Sequence, residues 1–242
     1  APAGAAAGAP GPAGGRGHWP AAAREVREAF LHAWRGYRRH AWGLDELRPL
    51  SGGGHDSYGG MGMTILDSLT TLWLLDLPEE FDEAAQFVAE ELKFGAKDQP
   101  LSVFELTIRA LGGLLGAHAL SGRPELLERA RELGELLLPA FNTSSQLPRA
   151  HWNLARGEGV RSCAPTVLAE AGSVQLEWRQ LSAATGDGRF ARAADAAFGA
   201  VQAAGARGVL PVHLTPPDHS PPRFVSAKFS VGGLADSYYE YL

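Results

Sequence analysis

The chain has 242 residues, 45% of them hydrophobic and 20% charged, with a net charge of -5. Those values suit a globular protein with a substantial core, and they leave no basic stripe for nucleic acid and no polybasic patch for a membrane surface. The single cysteine, Cys163, excludes an internal disulfide framework, and no apolar run approaches the roughly 20 residues that span a bilayer. The longest run, 66–77, is broken by Asp67, Ser68, Thr70 and Thr71.

The first fifteen residues are almost entirely Ala, Gly and Pro. Such a stretch cannot bury enough side-chain area to offset its ordering entropy, so residues 1–20 are expected to form a disordered stem or linker. From 21 to about 42, Val26, Phe30, Ala33, Trp34 and Tyr37 recur at three- and four-residue spacing. Arg24, Arg27, Glu28, Arg35 and Arg38 fill the other faces, which predicts an amphipathic helix. A Gly-rich loop over 51–60 leads into the apolar segment 61–77. Pro78 opens the next helix, with Glu79, Glu80 and Asp82 near the positive end of its dipole, and that helix runs to about residue 92.

Further helices are predicted over 102–120 and 124–138. Pro, Asn, Ser and Gly punctuate a loop over 139–165. Helices resume over 166–184 and 188–204. Pro211, Pro216, Pro217, Pro221 and Pro222 then predict an extended, hairpin-like excursion over 205–232. Strands carry little weight elsewhere. Residues 238–242 are rich in aromatics and lack a stop signal, as in a chain cut inside a helix.

Leu120-Ser121-Gly122-Arg123 and Ala184-Thr185-Gly186-Asp187 echo each other about 64 residues apart, each joining an apolar helix to a more amphipathic one. That is the signature of stacked helical hairpins in an all-α fold. An open α-solenoid and a closed toroid of inner and outer helices both satisfy it, and periodicity does not separate them.

Three constellations can carry chemistry. Glu105 and Arg109 stand at i and i+4 on a helix that is apolar nearly all round, which predicts burial. A buried carboxyl beside an arginine is how a general acid is brought into its working range, although a structural ion pair on a half-exposed face is the commoner source of the same spacing. Asp236 follows Gly232 and Gly233 at a helix start, where backbone N–H groups favour negative charge. Ser237 with Glu240 also spells a capping box, which would make Asp236 only a flanking acid. Glu170 and Glu177 lie seven apart on nearly one face. They fit either a pocket for sugar hydroxyls or a solvated outer surface.

Asn142-Thr143-Ser144 is an N-glycosylation acceptor sequence in a predicted loop. The histidines show no metal-ligand spacing, and no phosphate-cradling glycine motif is present.

Read together, these segments resemble glycoside hydrolase family 47, the class I α-1,2-mannosidases. The matching strings begin with Phe30-Leu31-His32-Ala33-Trp34, Ala41-Trp42-Gly43 and Asp45-Glu46-Leu47-Arg48-Pro49. They continue through Thr64-Ile65-Leu66-Asp67-Ser68-Leu69, Phe104-Glu105 to Gly112-Gly113, and Leu138-Pro139-Ala140-Phe141-Asn142-Thr143. Ala169-Glu170, Gln175-Leu176-Glu177 and Gly233 with Asp236-Ser237-Tyr238-Tyr239-Glu240-Tyr241-Leu242 complete the set.

The resemblance implies an (α/α)7 toroid of paired helices, present here as roughly its first half over residues 21–242. It implies Glu105 as the general acid acting through a water, Asp236 as a second catalytic carboxylate, and Arg109 and Glu170 as sugar-site residues. It also implies inverting hydrolysis of terminal α-1,2-linked mannose from high-mannose N-glycans, with Ca²⁺. The family's remaining catalytic glutamate and its Ca²⁺-binding threonine fall in a C-terminal half that these residues do not include, so no metal ligand is expected in this segment. An enzyme of the ER or Golgi lumen follows, monomeric when complete, with a type II membrane anchor outside these residues.

Thr70 replaces the second acid of the family's Asp-x-Leu-Asp-Thr pattern and Leu44 stands where His is common. Leu234 is more like the Golgi branch while the region 174–181 is nearer the ER type, which leaves both branches open. Thr70 keeps open a mannose-binding quality-control relative with feeble hydrolysis. A helical scaffold for protein partners is the third reading.

Overall fold

The computed structural model describes residues 21–160, 163–205 and 208–242. The stretch expected to be a disordered stem, 1–20, lies outside them. Helix α1 (Ala21–His40) forms as its spacing predicts and buries Leu31, Trp34 and Tyr37. Trp34 stacks on Phe30 and meets Tyr37 and Trp42, and Trp42 in turn packs edge-on against Phe87. After a short antiparallel pair, β1 (Glu46–Leu47) with β2 (Gly54–His55), come α2 (Met63–Leu74) and α3 (Pro78–Glu90). Phe87 belongs to α3, so the aromatic chain joins α1 to it.

Strand β3 (Pro100–Ser102) runs straight into α4 (Val103–Glu105), a π-helical stretch (Leu106–Leu111) and α5 (Gly112–Ser121). Helix α6 (Pro124–Leu137), a 3₁₀ turn (Leu138–Phe141), β4 (His151–Asn153) and β5 (Glu158–Gly159) follow. The remaining elements are β6 (Thr166–Val167), α7 (Leu168–Gly172), α8 (Gln175–Thr185), α9 (Gly188–Ala203), β7 (His213–Leu214) and α10 (Asp236–Glu240).

Gly122 and Gly186 cap α5 and α8 with left-handed backbone, φ 73° and 74°. The echoed sequences are therefore the turns of two helical hairpins, α5–α6 and α8–α9. The pair α2–α3 makes a third. Helices α2, α5 and α8 stand side by side with α3, α6 and α9 behind them, and the larger apolar cluster fills the space between the rows. A second cluster, including Leu147, Leu168, Val201, Val212 and Leu214, lies under the Pro-rich excursion.

Four expectations need correction. The longest apolar stretch is the 19-residue helix Val103–Ser121, which by length and composition alone could cross a membrane. Glu105 and Arg109 hide it from a search for uninterrupted runs, and half of it is buried against neighbouring helices. Strands are more widespread than expected. β3, β4 and β5 form one antiparallel sheet, while β6 pairs with β7. Each is only two or three residues long, too short for an alternating pattern to register.

The predicted helix 166–184 is broken. Ser173 leaves helical geometry at φ -137°, its hydroxyl donates to the Ala169 carbonyl, and the Gln175 side-chain amide donates to the Gly172 carbonyl at 3.0 Å. Side chains thus occupy carbonyls that the next helical turn would have used. The expected capping box also fails to form. Ala235 is the N-cap of α10, and the Ser237 hydroxyl pairs instead with that of Ser173 at 2.8 Å.

Asp45 organises the Gly-rich loop. It is fully buried, and its carboxylate accepts backbone N–H bonds from Tyr58 and Gly60 on one oxygen and from Met61 and Met63 on the other, all at 2.7–3.1 Å. Its own carbonyl accepts from the N–H and hydroxyl of Thr64, in the first turn of α2. A charged acceptor meeting four donors offsets its desolvation.

Asp45→Asn places an NH₂ group against N–H donors, so it is expected to lower unfolding free energy by about 3 kcal/mol, read by urea titration. Two glycines give opposite signs. A Cβ on Gly113 would lie 2.3 Å from the Leu66 carbonyl oxygen, whereas one on Gly199 meets nothing within 4 Å. Gly113→Ala should cost about 2 kcal/mol or more, and Gly199→Ala in α9 should add roughly 0.5–1 kcal/mol, both read by thermal unfolding.

Candidate active site

Glu105 closes α4, held there by its own N–H, which donates to the Ser102 hydroxyl at 3.2 Å. Strand pairing sets what faces it, since Ser102 in β3 is opposite His151 in β4. Arg109, within the π-helical stretch, donates from Nε to Glu105 Oε2 at 2.6 Å and from Nη1 to Asp67 Oδ2 at 3.1 Å. Its guanidinium also stands 5.9 Å from the centre of the Tyr58 ring. The hydrogen bond from Arg109 to Glu105 is the largest influence on the guanidinium and raises its pKa, against the opposing effect of burial.

The i, i+4 pair is real. The burial expected of Glu105 is not, because 31% of its side chain is exposed. The apolar neighbours Leu106, Leu111 and Leu114 face the core, while Glu105 and Arg109 share the one open face of this helix.

Glu170 lies in α7 and is half-buried. Burial pushes its carboxyl above the usual glutamate range and the charge of Glu105 adds to that, while His151 pulls it back. Asp236 opens α10 and is exposed, with Oδ1 accepting the Ser237 N–H at 3.0 Å. Two contacts hold α10 beside α7. Ala169 N–H donates to the Leu234 carbonyl at 3.0 Å, and the Tyr238 ring covers Gly172 so closely that a Cβ there would meet it at 2.5 Å.

Glu105, Glu170, Asp236 and Glu240 line one open cleft of about 340 Å³, together with Phe104 and Leu234. Glu170 also borders a neighbouring cavity of about 250 Å³ beside Arg149 and His151. The structure therefore brings Glu105, Arg109, Glu170 and Asp236 to one region. It does not bring Glu177. The break at Ser173 turns Glu177 away from the cleft, where Oε1 accepts from the Tyr241 hydroxyl at 3.0 Å and Oε2 is buried without a partner among the described residues. Burial likewise raises the Glu177 carboxyl above its usual range.

Sequence reasoning missed Asp67, Tyr58, His151 and Glu240. Asp67 was legible as the one acid inside the apolar segment 61–77 apart from Asp76 at its end. His151 and Tyr58 gave no local signal, since strand pairing and the Asp45 loop deliver them. Thr70 sits against α5, where a Cβ on Gly116 would come within 2.7 Å of its methyl group. The position of the family's second acid thus serves helix packing in this chain. Among the described residues no three His, Cys, Asp or Glu side chains are placed to hold a metal ion.

The sequence profile of glycosyl hydrolase family 47 matches residues 29–242. The chain belongs to that family. It is 40% identical over 224 residues to mannosyl-oligosaccharide 1,2-alpha-mannosidase MNS1 of Arabidopsis thaliana, covering 90% of this chain and 39% of that protein. It is 41% identical over 221 residues to the endoplasmic reticulum mannosyl-oligosaccharide 1,2-alpha-mannosidase of Homo sapiens, covering 90% of this chain and 31% of that one. The solved structure of the alpha-1,2-mannosidase from Trichoderma reesei superposes with a TM-score of 0.81 at 30% identity, over 90% of this chain and 48% of that one. The chain thus spans under two-fifths of these two curated relatives and about half of the solved structure. Its arc of paired helices is part of the family's (α/α)7 toroid, which decides between the closed ring and the open solenoid.

The proton on Glu170 reports the cleft. Glu105→Gln removes a like charge and should lower the Glu170 midpoint, whereas His151→Ala should raise it, both read by carboxyl ¹³C NMR titration. The folded chain holds this proton more tightly than the unfolded chain does. Ionising Glu170 therefore costs stability as pH rises from the ordinary glutamate range through the raised midpoint.

Proposed function

We propose that the whole protein hydrolyses terminal α-1,2-linked mannose from high-mannose N-glycans with inversion at the anomeric carbon. One observation carries this reading: Glu105, Glu170 and Asp236 line a single open cleft, with Arg109 bonded to Glu105 at 2.6 Å. Two carboxyl groups flanking a glycosidic bond are what such hydrolysis needs, at a separation of roughly 6.5–9.5 Å when a water must fit between sugar and base. Glu105 is the general acid, delivering a proton through a water to the leaving oxygen. Asp236 is the second carboxylate on the side of the attacking water. Arg109 orients Glu105, and Glu170 receives sugar hydroxyls.

Ca²⁺ is the expected metal, and it would hold the sugar's hydroxyls. By the family resemblance its protein ligand belongs to the C-terminal half of the domain, outside these 242 residues, and no step here is routed through it. The names of the relatives support a secretory-pathway enzyme acting on glycoprotein oligosaccharides. Within that reading the protein is lumenal, in the ER or Golgi, monomeric, and anchored by a type II segment outside these residues.

Full-length protein should release mannose from a high-mannose glycan and stop on chelation of Ca²⁺, and the 242-residue segment alone should release none. Glu105→Gln in the full-length protein should lower kcat by about 10²–10⁴-fold and leave glycan binding intact. Unchanged turnover in that variant would remove Glu105 from the mechanism, and binding without any turnover in the wild type would favour the mannose-binding reading.

A further inference from the structure

The acceptor sequence Asn142-Thr143-Ser144 has no part in the cleft chemistry, yet its geometry is specific. Asn142 ends the 3₁₀ turn Leu138–Phe141, with its N–H donating to the Pro139 carbonyl at 3.1 Å. From there hydroxyls alternate inward and outward. Thr143 Oγ1 donates to the Leu147 carbonyl at 2.7 Å, and buried Ser145 donates from Oγ to the Pro217 carbonyl at 2.6 Å. Asn142 and Ser144 are both exposed, and neither side chain bonds to another described residue. The turn is pinned by its odd-numbered hydroxyls and presents the amide and hydroxyl of the acceptor sequence to solvent.

We propose that Asn142 carries an N-linked glycan. The proposal rests on the lumenal reading above, since the donor is a lipid-linked diphosphate oligosaccharide available only there. In the transfer, Asn142 Nδ2 forms a bond to C1 of the donor sugar and loses one proton. The bond from C1 to the diphosphate oxygen breaks, and the lipid diphosphate leaves with its electron pair. The Ser144 hydroxyl is the second element of the acceptor, and the middle residue, Thr143, is not proline, as acceptance requires.

The fold accommodates the product. Two residues before Asn142, the Ala140 carbonyl accepts the Arg149 N–H at 3.0 Å, and Arg149 lines the cavity that Glu170 borders. Asn142 itself is exposed and lines neither that cavity nor the cleft, so a glycan on it extends into solvent. It is a modification of the enzyme itself, separate from the glycans it acts on.

The test uses full-length protein from eukaryotic cells, with protease protection in sealed microsomes run alongside. Enzymatic release of N-glycans in heavy-oxygen water should convert Asn142 to a mass-tagged Asp. Asn142→Gln and Ser144→Ala should each lose the same single glycan step on a gel, while Ser144→Thr keeps it. Because the exposed Ser144 side chain has no hydrogen-bond partner among the described residues, its substitutions are expected to leave the melting temperature unchanged. Unmodified Asn142 in a protease-protected protein overturns the proposal and leaves the lumenal reading standing. Unmodified Asn142 in an unprotected protein overturns both.

Discussion

The cleft depends on two places where helices approach to backbone contact. At Gly113 the first α-carbon position open to α2 lies against the Leu66 carbonyl, at a distance no Cβ could share. Asp67 is the next residue of α2 and Arg109 lies one turn before Gly113, so this approach is what lets Arg109 reach Asp67 at 3.1 Å while it holds Glu105. At Gly172 the Tyr238 ring occupies the space of a side chain. Glu170 lies two residues before Gly172, and Asp236 two before Tyr238. Each glycine thus sets a spacing between helices that a larger residue would widen.

Arg109 ties α2 to the helix that carries Glu105. Its ion pairs are partly exposed, with 39% of the arginine side chain accessible, and pairs of that kind add only about 0–1 kcal/mol each to stability. Their value is orientation. A guanidinium donating to two carboxylates along a fixed fork sets the rotamer of both, and Tyr58 beneath it removes one more direction of movement. Tyr58 is itself fixed by the Asp45 carboxylate through its N–H at 2.7 Å. The rigid part of this arrangement is a buried acid and a loop, and Glu105 stands partly exposed at the end of a helix. The π-helical stretch Leu106–Leu111 lies between them, at the kind of position where such irregularities accompany function.

Helical content was legible because apolar spacing and helix punctuation were both strong. Pro78, Pro124, Gly122 and Gly186 mark helix ends that the structure reproduces within a residue or two. The site was legible only in part. Glu105 and Arg109 could be paired from their spacing, but their exposure could not, because it depends on which face of an apolar helix is left open. A seven-residue spacing places Glu170 and Glu177 on one helical face, but the helix breaks at Ser173, whose side chain bonds to the Ala169 carbonyl. His151 became a neighbour of Glu170 only through a three-residue strand pairing with β3. Contacts made by short strands and side-chain-broken helices leave no periodic trace, and these are the contacts that finish the cleft.

Leu234 shows where the fold accepts strain. Its φ of 77° is in the left-handed region, which costs a residue with a Cβ roughly 1–2 kcal/mol relative to right-handed backbone. A glycine would remove that cost, and Gly232 and Gly233 stand immediately before it. The conformation aims the Leu234 carbonyl at the Ala169 N–H and leaves its side chain in the wall of the cleft, 38% exposed. Strain held at a partly exposed position in the wall of an open cleft points to a role there rather than to packing. Within the function proposed above, a sugar approaching Glu105 and Asp236 would find this apolar group among acids, offering contact to the C–H face of a ring while the carboxylates take its hydroxyls.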